Sequence, residues 1–182
     1  VLFREEAYDE AISHLRTAHE LLPDYTGYPS PSLVLAQVYE AMGNDEAKRE
    51  QLAIMLEHQQ HDFAAPLELA EHALQAGDLD QATYYVDRAL AVNPYRPEIH
   101  RIGAQLASRL GDTGRTVQEY EVLLTLDQND PVAARTDLAR AYLDNRQRDE
   151  ARKTVLRALE TAPTYERAQQ ILLQAVEASE ED

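Results

Sequence analysis

The chain has no cysteine and no tryptophan, only two methionines and two phenylalanines, and six glycines scattered singly over 182 residues. Without cysteine there is no disulfide, no thiolate zinc site and no cysteine nucleophile, while cytoplasm and periplasm both stay open as compartments. The glycines form no phosphate cradle, because GDTG at 111–114 lacks the spacing and the lysine of such loops. A G-x-S-x-G nucleophile elbow is also missing. Apolar runs are short, with LAIML at 52–56 the longest, far below the roughly 18–20 residues of a membrane-spanning helix. Positive charge is scarce: 17 Lys+Arg stand against 33 Asp+Glu, a formal charge of −16. That balance repels nucleic-acid phosphates and anionic lipid, and it makes a basic or neutral peptide the easier partner.

What is present is periodic. Gly43, Gly77 and Gly111 stand 34 residues apart, each at the end of a stretch with helical apolar spacing, and each predicts a helix stop. Leu35-Ala36, Leu69-Ala70, Gly103-Ala104 and Leu138-Ala139 recur in register with them, followed by Ala11, Ala47, Ala82, Thr116 and Ala151 in the segments after the stops. Each period predicts two helices. Pro31, Pro66, Pro97 and Pro131 fall at the start of the first, where a missing N–H costs nothing, and acidic residues open the second, where they suit the helix N-terminus.

The second-helix segment LDQATYYVDRALAVNP places Ala82, Val86, Ala89 and Pro94 at the small, large, small and closing positions of a pattern that resembles the tetratricopeptide repeat. YDEAISHLRTAHELLP repeats it with Ala11, Leu15, Ala18 and Pro23, and RDEARKTVLRALETAP with Ala151, Val155, Ala158 and Pro163. The family's first-helix tryptophan is replaced by Ser32, Pro66, His100 and Arg135. One unit has Thr116 and Leu123 for the two alanines and Gln128 for the proline, which predicts a looser helix contact there. AKREQLAIMLEHQQHDF also lacks the closing proline. The resemblance implies an all-α, right-handed solenoid of stacked antiparallel helix pairs, with about four and a half repeats and a capping helix. Small residues permit close backbone approach, and larger neighbours fill the grooves between pairs.

The expected layout is one domain: a partial repeat at 1–28, repeats at 29–62, 63–96, 97–131 and 132–165, and a capping helix with an acidic tail at 166–182. A chain that begins at Val1, with Leu2, Phe3 and Tyr8 soon after, is expected to start inside a repeat of a longer bacterial protein. Tyr25 and Tyr28, in the long loop PDYTGYPSP at 23–31, are expected to pack over neighbouring apolar surface.

No catalytic residue, cofactor or metal is expected. His58 and His61, one turn apart, could join Asp62 and His72 in an ion site, but HQQH falls at a helix end rich in solvated polar groups. Function is expected instead on the first-helix face, the family's usual groove for a peptide or protein segment. Helical projection places Gln37, Glu40, Leu67, Glu71, Leu74, Arg101, Gln105, Arg109, Thr136 and Arg140 there, with Asp144 beyond. Arg101, Arg109 and Arg140 are candidates to hold an acidic group or chain terminus, with Leu67 and Leu74 taking an apolar side chain. The competing expectation pairs the arginines with Glu98, Asp137 or Asp144. No lysine–asparagine clamp of the chaperone-binding members is found. A noncatalytic protein-interaction scaffold is the leading reading; the alternative is an accessory substrate-recruiting or assembly tail of an enzyme whose catalytic domain lies upstream. Helical RNA-binding repeats would need a basic groove, which the charge disfavours.

Overall fold

A computed structural model describes residues 5–23, 25, 27–58, 62–126 and 130–177. Among them are ten helices and no strand: α1 (Glu5–Leu21), α2 (Pro31–Ala41), α3 (Asp45–His58), α4 (Ala64–Ala76), α5 (Leu79–Val92), α6 (Pro97–Leu110), α7 (Thr113–Leu126), α8 (Pro131–Asp144), α9 (Arg148–Thr161) and α10 (Glu166–Glu177). They pair as α2/α3, α4/α5, α6/α7 and α8/α9, with α1 packed on α2 and α10 on α9. Leu2, Phe3, His61 and Gln128 lie outside the described residues.

The boundaries follow from local chemistry. Pro31, Pro97 and Pro131 are the first residues of their helices. Side chains of Ser30, Asn44, Asp62, Asp78, Asp112 and Asp130 each accept the backbone N–H three residues on, satisfying one of the donors a helix start leaves open. At the other end Gly43, Gly77 and Gly111 have φ of 72°, 80° and 74°. In that left-handed conformation the following N–H reaches the carbonyl five residues back: Asn44 to Tyr39, Asp78 to Ala73 and Asp112 to Ala107, each at 2.9 Å. The fourth unit makes the same turn with Arg146 at φ 60°, and Gln147 N–H reaches the Tyr142 carbonyl at 2.8 Å.

Within pairs, the small positions do what the pattern predicts. Ala82, Val86 and Ala89 of α5, and Ala151, Val155 and Ala158 of α9, are all fully buried. In α3 the register differs from the sequence expectation. Ala47 is only half-buried, and the position 34 residues before Ala82 is Lys48. In α6/α7 the usual leucine is Gly103, and a Cβ there would lie 3.0 Å from the Glu119 carboxyl carbon. Glu119 Oε2 meets His100 Nδ1 at 2.7 Å, His100 Nε2 meets the Pro94 carbonyl oxygen at 2.7 Å, and Arg115 stands 3.5 Å from Oε1. A buried polar network thus fills the space that an apolar side chain fills elsewhere. Each ring nitrogen of His100 thus has an oxygen partner within the network.

The seams between pairs are of two kinds. First helices α4 and α6 touch, and so do α8 and α10; α2 and α4 stand apart, as do α6 and α8. The second-helix residue at the seam is Ala89 or Ala158 where the first helices meet, and Met55 or Leu123 where they do not. All four are buried, so the seam holds a large side chain where the first helices stand apart and an alanine where they meet. The looser helix contact expected for Thr116 and Leu123 is not found: α6 and α7 pack as closely as the other pairs, and α7 packs closely on α8.

Arginines tie successive pairs together. Arg88 of α5 donates to the Leu56 carbonyl in the last turn of α3 at 2.6 Å, and Arg109 of α6 donates to the Leu74 carbonyl in the last turn of α4. Both serve carbonyls at the negative end of a helix dipole.

Candidate functional site

Each open seam forms a notch between consecutive first helices. The N-terminal notch, about 250 Å³, lies among α2, α3 and α4 and is lined by Gln37, Glu40, Lys48, Asp62 and Glu68 over an apolar floor that includes Leu52 and Met55. The C-terminal notch, about 260 Å³, lies among α6, α7 and α8 and is lined by Arg101, Gln105, Tyr120, Leu123, Asp130, Ala133, Ala134 and Asp137. Gln37 and Gln105, Leu52 and Tyr120, Met55 and Leu123, and Asp62 and Asp130 are each 68 residues apart. The notches are therefore the same structural position two periods apart.

Their electrostatics differ. Lys48 Nζ lies 2.7 Å from Glu40 Oε1 and 3.0 Å from Glu68 Oε2, and its side chain is only 15% exposed. The Glu40 hydrogen bond leads in holding the ammonium above its ordinary range, against the opposing effect of burial. In the C-terminal notch, burial pushes the Asp137 carboxyl above the usual carboxylate range although Arg167, 2.5 Å from Oδ1, pulls it down. Burial also raises the Tyr120 phenol.

Of the residues projected onto this face, Gln37, Glu40, Arg101 and Gln105 line the notches and are exposed. Leu74 and Thr136 are core, at 3% and 0% exposure, and Thr136 donates to the Val132 carbonyl of its own helix. Leu67 is half-buried against the core around Ala70. Glu71 is exposed but lines neither notch. The three arginines do not converge as an anion clamp. Arg109 caps α4, and Arg140 donates to Gln174 of α10 at 2.7 Å. Of the acids in the competing expectation, Glu98 meets Arg96 and Asp137 meets Arg167. Projection missed Lys48, Asp62, Glu68, Tyr120, Leu123, Asp130 and Asp137, because it treated the face as one helix surface. The signal for them was the large residue at 55 and 123, together with the missing closing proline after α3 and after α7.

A larger open trough of about 530 Å³ runs over α4 between α3 and α5, with Glu46, Arg49, Glu50, His72 and Tyr85 on its walls. The loop tyrosines do not pack as expected, since Tyr28 is 80% and Tyr25 44% exposed. Among the described residues no three histidine or acidic side chains are grouped to hold a metal ion, and no helix is long and apolar enough to cross a membrane.

Antiparallel helix pairs stacked at a 34-residue period define an α-solenoid. Residues 108–178 match the tetratricopeptide repeat family model, and the helix pairs along the chain stack as a solenoid of the tetratricopeptide-like kind. Cellulose synthase operon protein C of Pseudomonas fluorescens (strain SBW25) is 28% identical over 131 residues, 70% of this chain and 10% of that protein. The chain thus spans about a tenth of that relative's length. Among solved structures, MamA from Desulfovibrio magneticus RS-1 superposes with a TM-score of 0.67 at 15% identity, over 82% of this chain and 84% of that one. YrrB, described as a tetratricopeptide-repeat protein with an unusual peptide-binding site, gives 0.64 at 14% identity, over 91% and 83%. These likenesses show the fold; in YrrB that fold carries a peptide site.

Proposed function

We propose that the protein is a noncatalytic interaction scaffold that binds an extended peptide or protein segment along its concave first-helix face, with the two notches receiving side chains of that segment. The observation that carries this reading is the equivalence of the notches: the same helix positions form an apolar floor with polar walls twice, 68 residues apart. Such pockets accept side chains, and an extended partner gains from engaging two of them at once. The likeness of the fold to a peptide-binding tetratricopeptide-repeat protein supports it.

Peptides selected by display against the protein provide the test. Gln37→Trp and Gln105→Trp would plug the notches from exposed positions without entering the core. Affinity for the selected peptides should fall at least tenfold in the double variant; undiminished binding would move the site elsewhere.

A second reading, an assembly segment within a larger protein, is favoured by the likeness to one stretch of a far longer relative. It calls on the same face. Cross-linking from the position that aligns with Gln105 in a full-length relative should then capture a component of the same assembly rather than a free peptide.

A further inference from the structure

We propose that the notch between α6 and α8 receives a cationic side chain, lysine or arginine, from a basic partner segment. Its stem would lie over Leu123, Ala133 and Ala134, and its charge beside Asp130 and Asp137. This rests on reading the first-helix face as the binding surface and names the class of side chain that surface takes.

The chain carries its own precedent in the equivalent notch. There the Lys48 ammonium sits between Glu40 and Glu68, and its stem is largely buried in the seam. The residue 68 positions on is Thr116, whose hydroxyl turns back to the Asp112 carbonyl at 2.8 Å. The C-terminal notch therefore has carboxylates and an apolar floor but no cation at the place of Lys48; its cations are Arg101 in the lining and Arg167 on Asp137.

The charges at this site favour the same occupant. Two carboxylates, Asp130 and Asp137, line the notch against one guanidinium, Arg101. Arg167 reaches Asp137 from α10 with a side chain that is itself 54% exposed, while the Asp137 side chain is 29% exposed. An entering carboxylate would face both aspartates, and an apolar side chain would desolvate Asp137 further without a partner. A cation with an aliphatic stem meets both needs, and the overall charge of −16 draws a basic segment toward the molecule.

Nuclear magnetic resonance titration of the whole chain with three acetylated 12-residue probes tests this. The probes share a Gly/Ser backbone and carry lysine, norleucine or glutamate at the same four positions. The lysine probe should give saturable amide shifts centred on Ala133, Ala134 and Asp137. Thr116→Lys, which fills the notch as Lys48 fills its counterpart, and Asp137→Asn should each weaken it at least tenfold with helical content retained. Affinity within twofold of the parent in both variants would overturn the proposal, as would shifts spread over the acidic surface without saturation. Norleucine or glutamate binding in the notch as tightly as lysine would overturn the cation assignment and leave the scaffold reading standing. If none of the three probes reaches either notch, while display-selected peptides also ignore the tryptophan plugs, both readings fall.

Discussion

The seam between α4 and α6 is closed, and the seam between α6 and α8 is open. Both join consecutive units of one period, so their difference isolates what sets the spacing of first helices. At the closed seam the second helix presents Ala89, and the chain turns into the next unit through Asn93 and Pro94. At the open seam it presents Leu123, and no proline follows until Pro131 begins α8. The N-terminal half repeats the open arrangement with Met55, and the C-terminal end repeats the closed one with Ala158 and Pro163. Open and closed seams therefore alternate, and a 34-residue sequence period carries a two-unit structural period.

The strongest test asks whether the open seam after α7 originates inside the α6/α7 pair or at the seam itself. Glu119→Ala would leave His100 without its carboxylate in a buried site; breaking such a pair costs roughly 3–5 kcal/mol. Urea unfolding should show a loss of that order. A Gly103→Leu, Glu119→Ala double variant should recover part of it, because the leucine of the other units would then have space. Recovery with the α6 to α8 distance unchanged would assign the open seam to Leu123 alone.

Next in size is the conversion of a closed seam. Ala89→Leu places a large side chain at a fully buried contact, which typically costs about 1–3 kcal/mol. If seam residues set the spacing, α4 and α6 should separate. The absence of cysteine makes this measurable, since introduced cysteines on the two helices label cleanly for spin–spin distances. An unchanged distance would show that the proline turn, rather than the alanine, closes the seam. The reverse substitution, Met55→Ala, should cost about 2 kcal/mol, at the low end for such truncations, because the neighbouring notch lets the site collapse. It should also draw α2 and α4 together.

The pair architecture was legible because it rests on local signals: three glycine stops, three helix-start prolines and the Ala82, Val86, Ala89 face. The alternation was visible only as defects, namely Thr116, Leu123 and missing prolines, whose consequence depends on a neighbour across the seam. Site residues were harder. Gln37, Glu40, Arg101 and Gln105 project correctly because their exposure follows from one helix. Leu74 and Thr136 do not, because neighbouring helices cover them. Arg109 projects onto the binding face but reaches the Leu74 carbonyl, 35 residues away, a contact that helical projection cannot supply. Lys48 was obscured by Ala47 beside it, one residue out of register.

Arg146 offers the smallest expected effect and a control on the comparison. It occupies the place of Gly43, Gly77 and Gly111 at φ 60°, a conformation that strains a residue with a Cβ. Its turn makes the same backbone hydrogen bonds as the glycine turns, so Arg146→Gly would relieve the strain without removing them. Relief is worth about 1 kcal/mol, reduced by the extra freedom glycine gives the unfolded chain. The thermal midpoint should rise slightly while label distances across the open and closed seams stay fixed. Movement of either distance would mean that the turn within a unit and the seam between units are coupled, and that Met55 and Leu123 are not sufficient to account for the notches.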